Sequence, residues 1–230
     1  TLNKTKGRAV WSPRAQVDKI KYSSFIQKVV GKNKNIVIIK GNVVDILVDN
    51  SKIVGCVLGC GETISVSSIV ITAGTFLDGK IHIGDVSYPA GRFGEPPSKG
   101  LTNSLISLGF ETSRLKTGTP PRLLTKSINW NKLTLASGDT DVNFFSILTP
   151  EDYKAPNVPC FIAHTNKDTH DILKHNLSKS PMYSGKINAT GPRYCPSVED
   201  KVVRFSNKDS HQLFLEPEWK DSKQIYVNGF

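Results

Sequence analysis

Between Gly191 and Glu218 the chain reads GPRYCPSVEDKVVRFSNKDSHQLFLEPE. Arg193, Cys195, Glu199, Asp200, Lys201, Arg204, His211 and Glu216 all fall in this stretch, which is rich in reactive side chains and poor in core formers. Pro196 suits the first turn of a helix, and Ser197 with Asp200 three residues on has the spacing of a capping box. A short helix is expected from about Pro196 to Phe205, with Val198, Val202 and Phe205 on its apolar side. Cys195 then stands at the mouth of that helix, two residues from Arg193. The positive end of the helix dipole and the guanidinium both favour thiolate over thiol, which makes Cys195 a candidate nucleophile. The competing reading is a small buried cysteine beside a proline. Cys56, Cys60 and Cys160 read as structural.

Cations form the second group. Arg193, Lys201 and Arg204 could grip a phosphate or a dinucleotide, or form an ordinary charged helix face. In RLKTGTPPR, Arg114, Lys116 and Arg122 surround a Thr-Gly-Thr-Pro-Pro core. The amides and cations of such a loop suit phosphate, and the plain alternative is a solvated basic loop. His164, His170 and His175 do not have zinc-ligand spacing, so no metal site is expected.

Four stretches in order resemble the MnmG/GidA flavoproteins: TAGTFLDGKIHIG (Thr72–Gly84), RLKTGTPPR (Arg114–Arg122), HTNKDTHD (His164–Asp171), and GPRYCPSVEDKVVRF followed by HQLFLEPE. The similarity covers nearly the whole chain. It implies an enzyme that installs a carboxymethyl- or taurino-type aminomethyl group at C5 of the wobble uridine (position 34) of transfer RNA. It also implies that Cys195 adds to C6 of that uracil. FAD, NADH and methylenetetrahydrofolate are the implied cofactors, with glycine or taurine as amine source. The implied partners are tRNA, a GTPase of the MnmE type and a second copy of the chain in a homodimer.

Carried over by position, Val43, Gly74, Thr75 and Ser98 are expected at FAD. Gly191, Pro192, Arg193, Tyr194, Glu199, Asp200, Lys201, Arg204 and Asp171 are expected at NAD. Arg114, Lys116 and Arg122 are expected at RNA. Two rival readings remain: a scaffold piece without activity, and a generic flavin-dependent NAD(P)H oxidoreductase.

The elements that must position these groups follow from pattern. Ser12-Pro13 reads as the start of a helix carrying Val17, Ile20, Phe25 and Val29 on one face and ending at Gly31. Asn35–Lys40 (NIVIIK) reads as a buried strand. Val43–Val48 and Ile53–Leu58 read as a hairpin around Asp49-Asn50-Ser51-Lys52. After the turn Gly59-Cys60-Gly61, Glu62–Thr72 reads as a third strand ending at Ala73-Gly74-Thr75. Tyr88–Pro97 reads as a loop, Ser98 to Leu108 as a helix closed by Gly109, and Thr165 to Leu177 as a helix boxed by Thr165 and Asp168. The expected fold is α/β: a partial two-dinucleotide-binding flavoprotein with a β-meander and an inserted α/β domain. Residues 1–120 would belong to the FAD part and 121–230 to the NAD and substrate part.

The family's G-x-G-x-x-G turn is absent, so the sequence reads as the interior of a longer protein. No apolar run approaches a membrane span. Four cysteines at irregular spacing do not make a disulfide framework, and a net charge of +10 suits a phosphate-rich partner. The family's EPEG reads Glu216-Pro217-Glu218-Trp219 here, and a tryptophan cannot easily take the positive φ of a turn glycine. That departure, with the basic charge, points to a mitochondrial matrix protein, with a bacterial cytoplasm as the alternative.

Overall fold

A computed structural model describes residues 1–140, 144–187 and 197–230. Helices and sheets are mixed, and the chain divides into two compact units, each discontinuous in sequence. One comprises Val37–Thr117 and His175–Cys195, the other Thr1–Ile36, Gly118–Lys174 and Pro196–Phe230.

In the first unit the expected meander is present. Strands β1 (Val43–Asp49), β2 (Lys52–Leu58) and β3 (Thr63–Ser65) are antiparallel neighbours in sequence order. The β1–β2 turn has Asn50 and Ser51 at φ 47° and 62°, the left-handed pair that matches strand twist in a two-residue hairpin. Strands β4 (Lys80–Ile83) and β5 (Val86–Pro89) make a second hairpin, so Tyr88 and Pro89 belong to a strand rather than to a loop. Helix α1 (Lys19–Lys32) belongs to the other unit, and helix α2 (Leu101–Ser107) to this one. Ser104 on α2 accepts the amide of Ile46 at 3.0 Å, which fixes the helix to β1. Gly100 precedes α2 at φ 100°, and a Cβ there would lie 3.0 Å from Val44 Cβ. Only glycine allows this approach.

Two expected strands do not form as read. Residues 36–40 join no strand among the described residues, Ile36 N donating only to Asn33 O at 3.1 Å, and Val37, Ile38 and Ile39 are exposed. The third meander strand stops at Ser65, leaving Val70 and Ile71 exposed. A β-branched run becomes a strand only where another strand offers a ladder.

The second unit is built on a five-stranded antiparallel sheet ordered β6-β10-β9-β8-β7. Its strands are β6 (Arg122–Leu124), β7 (Thr134–Ala136), β8 (Cys160–His164), β9 (Gln212–Pro217) and β10 (Gln224–Asn228). Leu213 and Leu215 on β9 and Ile225 and Val227 on β10 are buried at alternating positions, the period of a sheet with one covered face. Helices α3 (Lys167–His175) and α4 (Val198–Arg204) complete it, with Val202 fully buried.

Helix α1 begins seven residues after Ser12, not beside it. Asp18 is its cap, accepting the amides of Ile20 and Lys21 at 3.1 and 3.0 Å. The same carboxylate accepts the Lys220 amide at 3.1 Å, tying the helix start to the β9–β10 turn. These backbone donors hold the Asp18 carboxyl below its ordinary value. Gly31 lies inside the helix, which ends at Asn33. Likewise Asn166, not Thr165, caps α3, accepting the amide of Thr169 at 2.9 Å.

Candidate functional site

In the unit holding the meander, Thr75 and Ser98 take part in a short run of hydrogen bonds, and Gly74 and Val43 directly adjoin residues of that run. Gly74 (φ 56°) turns the chain after residues 67–72. Thr75 Oγ1 donates to Gly91 O at 2.8 Å. The segment then pairs with Ser98: Ser98 N donates to Phe76 O at 2.8 Å and Asp78 N to Ser98 O at 2.9 Å. The Ser98 hydroxyl donates to the side chain of Asn42, directly before Val43, and Asn42 Nδ2 donates to Lys99 O at 3.2 Å. Val43, Gly74, Thr75 and Ser98 thus converge although up to 55 positions separate them in the chain. No side chain lies within 4 Å of where a Cβ would stand on Gly74, so its turn is open to a close approach.

Arg114 joins the same unit. Its Nη1 donates to Asp78 O at 2.9 Å. Lys116 is half-buried on the following loop. Arg122 falls in the other unit, where Glu218 accepts from its Nε at 3.2 Å and its guanidinium lies 5.0 Å from the Tyr226 ring centre. Lys19 Nζ reaches the same carboxylate at 2.8 Å. Burial alone would raise the Glu218 carboxyl, but Arg122 and Lys19 outweigh it and hold it below its ordinary value.

Ser197 and Asp200 form the expected capping box: Ser197 Oγ accepts the Asp200 amide at 3.4 Å, and Asp200 Oδ2 accepts the Ser197 amide at 3.2 Å. Asp200 is therefore buried and engaged in holding the helix start. Lys201 donates to Gly229 O. Glu199 is half-buried and Arg204 exposed on α4, while Asp171 is half-buried in the middle of α3, away from that helix's first turn. Gly191, Pro192, Arg193, Tyr194 and Cys195 lie outside the described residues. Of the other cysteines, Cys56 is buried and Cys60 exposed. The Cys160 thiol is pushed up by burial and by Glu216, against the opposing pull of Arg14.

Sequence reasoning missed the cluster around Thr165. Its hydroxyl lies 2.8 Å from His170 Nε2 and accepts the His211 amide at 2.8 Å. The His170 and His211 rings stack with centres 5.1 Å apart. Burial, then His170, Lys201 and Lys208, push the His211 imidazole below its ordinary value. The HTNKDTHD and HQLFLEPE motifs contained these residues, but only the β8–β9 register, His164 opposite Gln212, brings the two motifs together. Among the described residues no group of three or more His, Cys, Asp or Glu could hold a metal, and no helix is long and apolar enough to cross a membrane.

The family described as "Glucose inhibited division protein A" matches residues 1–230. The chain belongs to that family. A relative from Thermodesulfovibrio yellowstonii, named "tRNA uridine 5-carboxymethylaminomethyl modification enzyme MnmG", is 48% identical over 228 residues, covering 99% of this chain and 36% of its own. A relative of the same name from Chlorobium phaeobacteroides is 45% identical over 230 residues, 37% of its length. The form I crystal structure of Aquifex aeolicus GidA superposes over the whole chain with a TM-score of 0.87 at 44% identity, covering 39% of that protein. The form II crystal gives 0.85 at 41% identity. The α/β fold of the chain is thus that of the corresponding part of GidA. The chain spans rather more than a third of the length of these relatives.

Trp219 does not take the strained conformation its position suggested. The left-handed residue of the β9–β10 turn is Asp221 (φ 61°), and Ser222 N donates to Trp219 O at 3.2 Å. The indole is free to pack under Lys19, whose Nζ lies 4.7 Å from the ring centre.

Proposed function

We propose that the protein of which this chain is part is the FAD-dependent enzyme that installs an aminomethyl-type group at C5 of wobble uridine-34 in tRNA. The observation that carries the reading is the convergence of Val43, Gly74, Thr75 and Ser98 in a chain 45–48% identical to proteins named for that modification. A glycine turn free of obstruction, a serine hydroxyl and the Asn42 amide are groups that fit a dinucleotide. When bound, the flavin would supply the redox chemistry that delivers the one-carbon unit from methylenetetrahydrofolate. Arg193, Lys201, Arg204 and their neighbours are proposed to hold NADH, and Arg114, Lys116 and Arg122 to contact tRNA phosphates. Cys195 is proposed to add as thiolate to C6 of the uracil. That forms the S–C6 bond and moves the C5–C6 electron pair toward C5, which becomes the nucleophile. An MnmE-type GTPase and a second copy of the chain are the proposed partners. The location, mitochondrial matrix or bacterial cytoplasm, is proposed on charge, and the closely similar relatives are bacterial.

The test is full-length protein, with and without Cys195→Ser, acting on tRNA that lacks the modification, read by mass spectrometry of the released nucleosides. The wild type should yield the C5-substituted uridine. The variant should bind tRNA as before and yield none. A Cys195→Ser enzyme working near the wild-type rate would remove the thiol from the mechanism. A wild type that never changes uridine-34 would refute the reading as a whole.

A further inference from the structure

In the meander unit a cleft of about 120 Å³ is lined by Lys80, Lys99 and Arg114 with Asp78, Gly79, Pro89 and Pro97. Among the described residues none of these three cations pairs with a carboxylate, whereas Lys19 and Arg122 in the other unit share Glu218. Three cations against the single carboxylate of Asp78 leave the lining with a positive excess, and an anion bound between the cations offsets their mutual repulsion. Next to the cleft, burial first and then the charges of Lys80 and Arg114 push the His82 imidazole below its ordinary value. The walls are fixed. Arg114 spends one donor on Asp78 O, which orients the guanidinium and leaves its other donors. Ala90 N donates to Gly79 O at 3.0 Å. A Cβ on Gly79 would lie 2.4 Å from Thr75 O and 2.5 Å from Ala90 O, so the backbone closes there around glycine alone. Two prolines stiffen the rest of the rim.

We propose that this cleft is a phosphate subsite in which Lys80, Lys99 and Arg114 hold one phosphate group of a nucleotide ligand. The source of the phosphate, an RNA backbone or a dinucleotide, rests on the function proposed above. The anion chemistry does not. A guanidinium fork and two ammonium groups provide the charge and the donors that phosphate oxygens need.

The experiment compares full-length protein with Lys80→Gln/Lys99→Gln, both exposed positions, and with Lys28→Gln/Lys32→Gln on α1, which removes the same charge elsewhere. Two quantities are read: the dependence of tRNA affinity on salt, and the dissociation constant of FAD. If an RNA phosphate occupies the cleft, the cleft variant should flatten the log–log salt slope by about two units, with FAD affinity kept. If a dinucleotide phosphate occupies it, FAD affinity should fall by about tenfold or more, with the slope kept. The proposal is overturned if neither quantity moves, or if the α1 pair moves them equally. A wild type that never modifies uridine-34, together with a flattened slope in the cleft variant, would sink the function and leave the subsite standing. Normal modification with both quantities unchanged would do the reverse.

Discussion

Removing the Ser197 hydroxyl tests whether the capping box sets the start of α4, the helix that follows Cys195 in sequence. In Ser197→Ala the Asp200 amide loses its acceptor, and the Asp200 carboxylate keeps the Ser197 backbone amide but loses the hydroxyl. The box bonds of 3.2 and 3.4 Å lie at or beyond the long end of the N–H···O range, which argues for the middle of the N-cap scale, about 1 kcal/mol. Asp200 is only 4% exposed, and the loss of a hydroxyl contact in so buried a setting pushes the cost toward about 2 kcal/mol. Because α4 is seven residues long, the loss should appear as local opening. Hydrogen exchange of the 198–204 peptide in the full-length protein should quicken by roughly fivefold to thirtyfold. Ser197→Asp, which restores an acceptor, should recover most of the protection. Exchange in Ser197→Ala indistinguishable from wild type would show that packing of Val198 and Val202, and not the cap, fixes this helix.

Other outcomes follow from the same geometry. Lys116→Ala should flatten the salt dependence of tRNA binding by about one unit of slope, and an unchanged slope would make its loop structural. Arg122→Ala should flatten it less and lower stability, because Glu218 then loses one of its two cations; a full unit of slope with unchanged stability would contradict the Glu218 pairing. The folded value of the Glu218 carboxyl is depressed, so its contribution is present above the ordinary carboxylate range and is lost as pH falls through the folded value. The stability gap between wild type and Glu218→Gln should therefore close on acidification, and a gap that widens in acid would contradict the depressed value. Near neutral pH a thiol-alkylating reagent should label Cys195 fastest. Exposed Cys60 should come next, with buried Cys56 and raised Cys160 behind, and Cys160 labelling as fast as Cys195 would refute the order.

What the sequence made legible was local. The 43–58 hairpin was readable because alternation and an Asn-Ser turn lie within a few residues of each other, and the Ser197–Asp200 box for the same reason. The start of α1 was not, since Ser12 and Asp18 are both acceptable caps, and only Asp18 also reaches the Lys220 amide about two hundred positions away. NIVIIK carries every mark of a strand except a partner among the described residues. The four proposed FAD positions came from family likeness, since nothing in a lone valine, glycine, threonine or serine announces a ligand. The Thr165, His170 and His211 cluster needed the register of β8 on β9, which no single motif contains.

The run at Val37, Ile38 and Ile39, which joins no strand among the described residues, bears on how this polypeptide behaves at high concentration. A β-branched, uncharged tract with open amides and carbonyls is a template for ladders between molecules. Its flanks carry the usual countermeasure, since Lys34 stands before it and Lys40 after it, placing charge at both ends of the sticky segment. Neutralising those two lysines should convert a dispersed solution of this 230-residue chain into one that scatters light. Turbidity that stays flat in Lys34→Gln/Lys40→Gln would mean that the tract is shielded by something other than its gatekeepers.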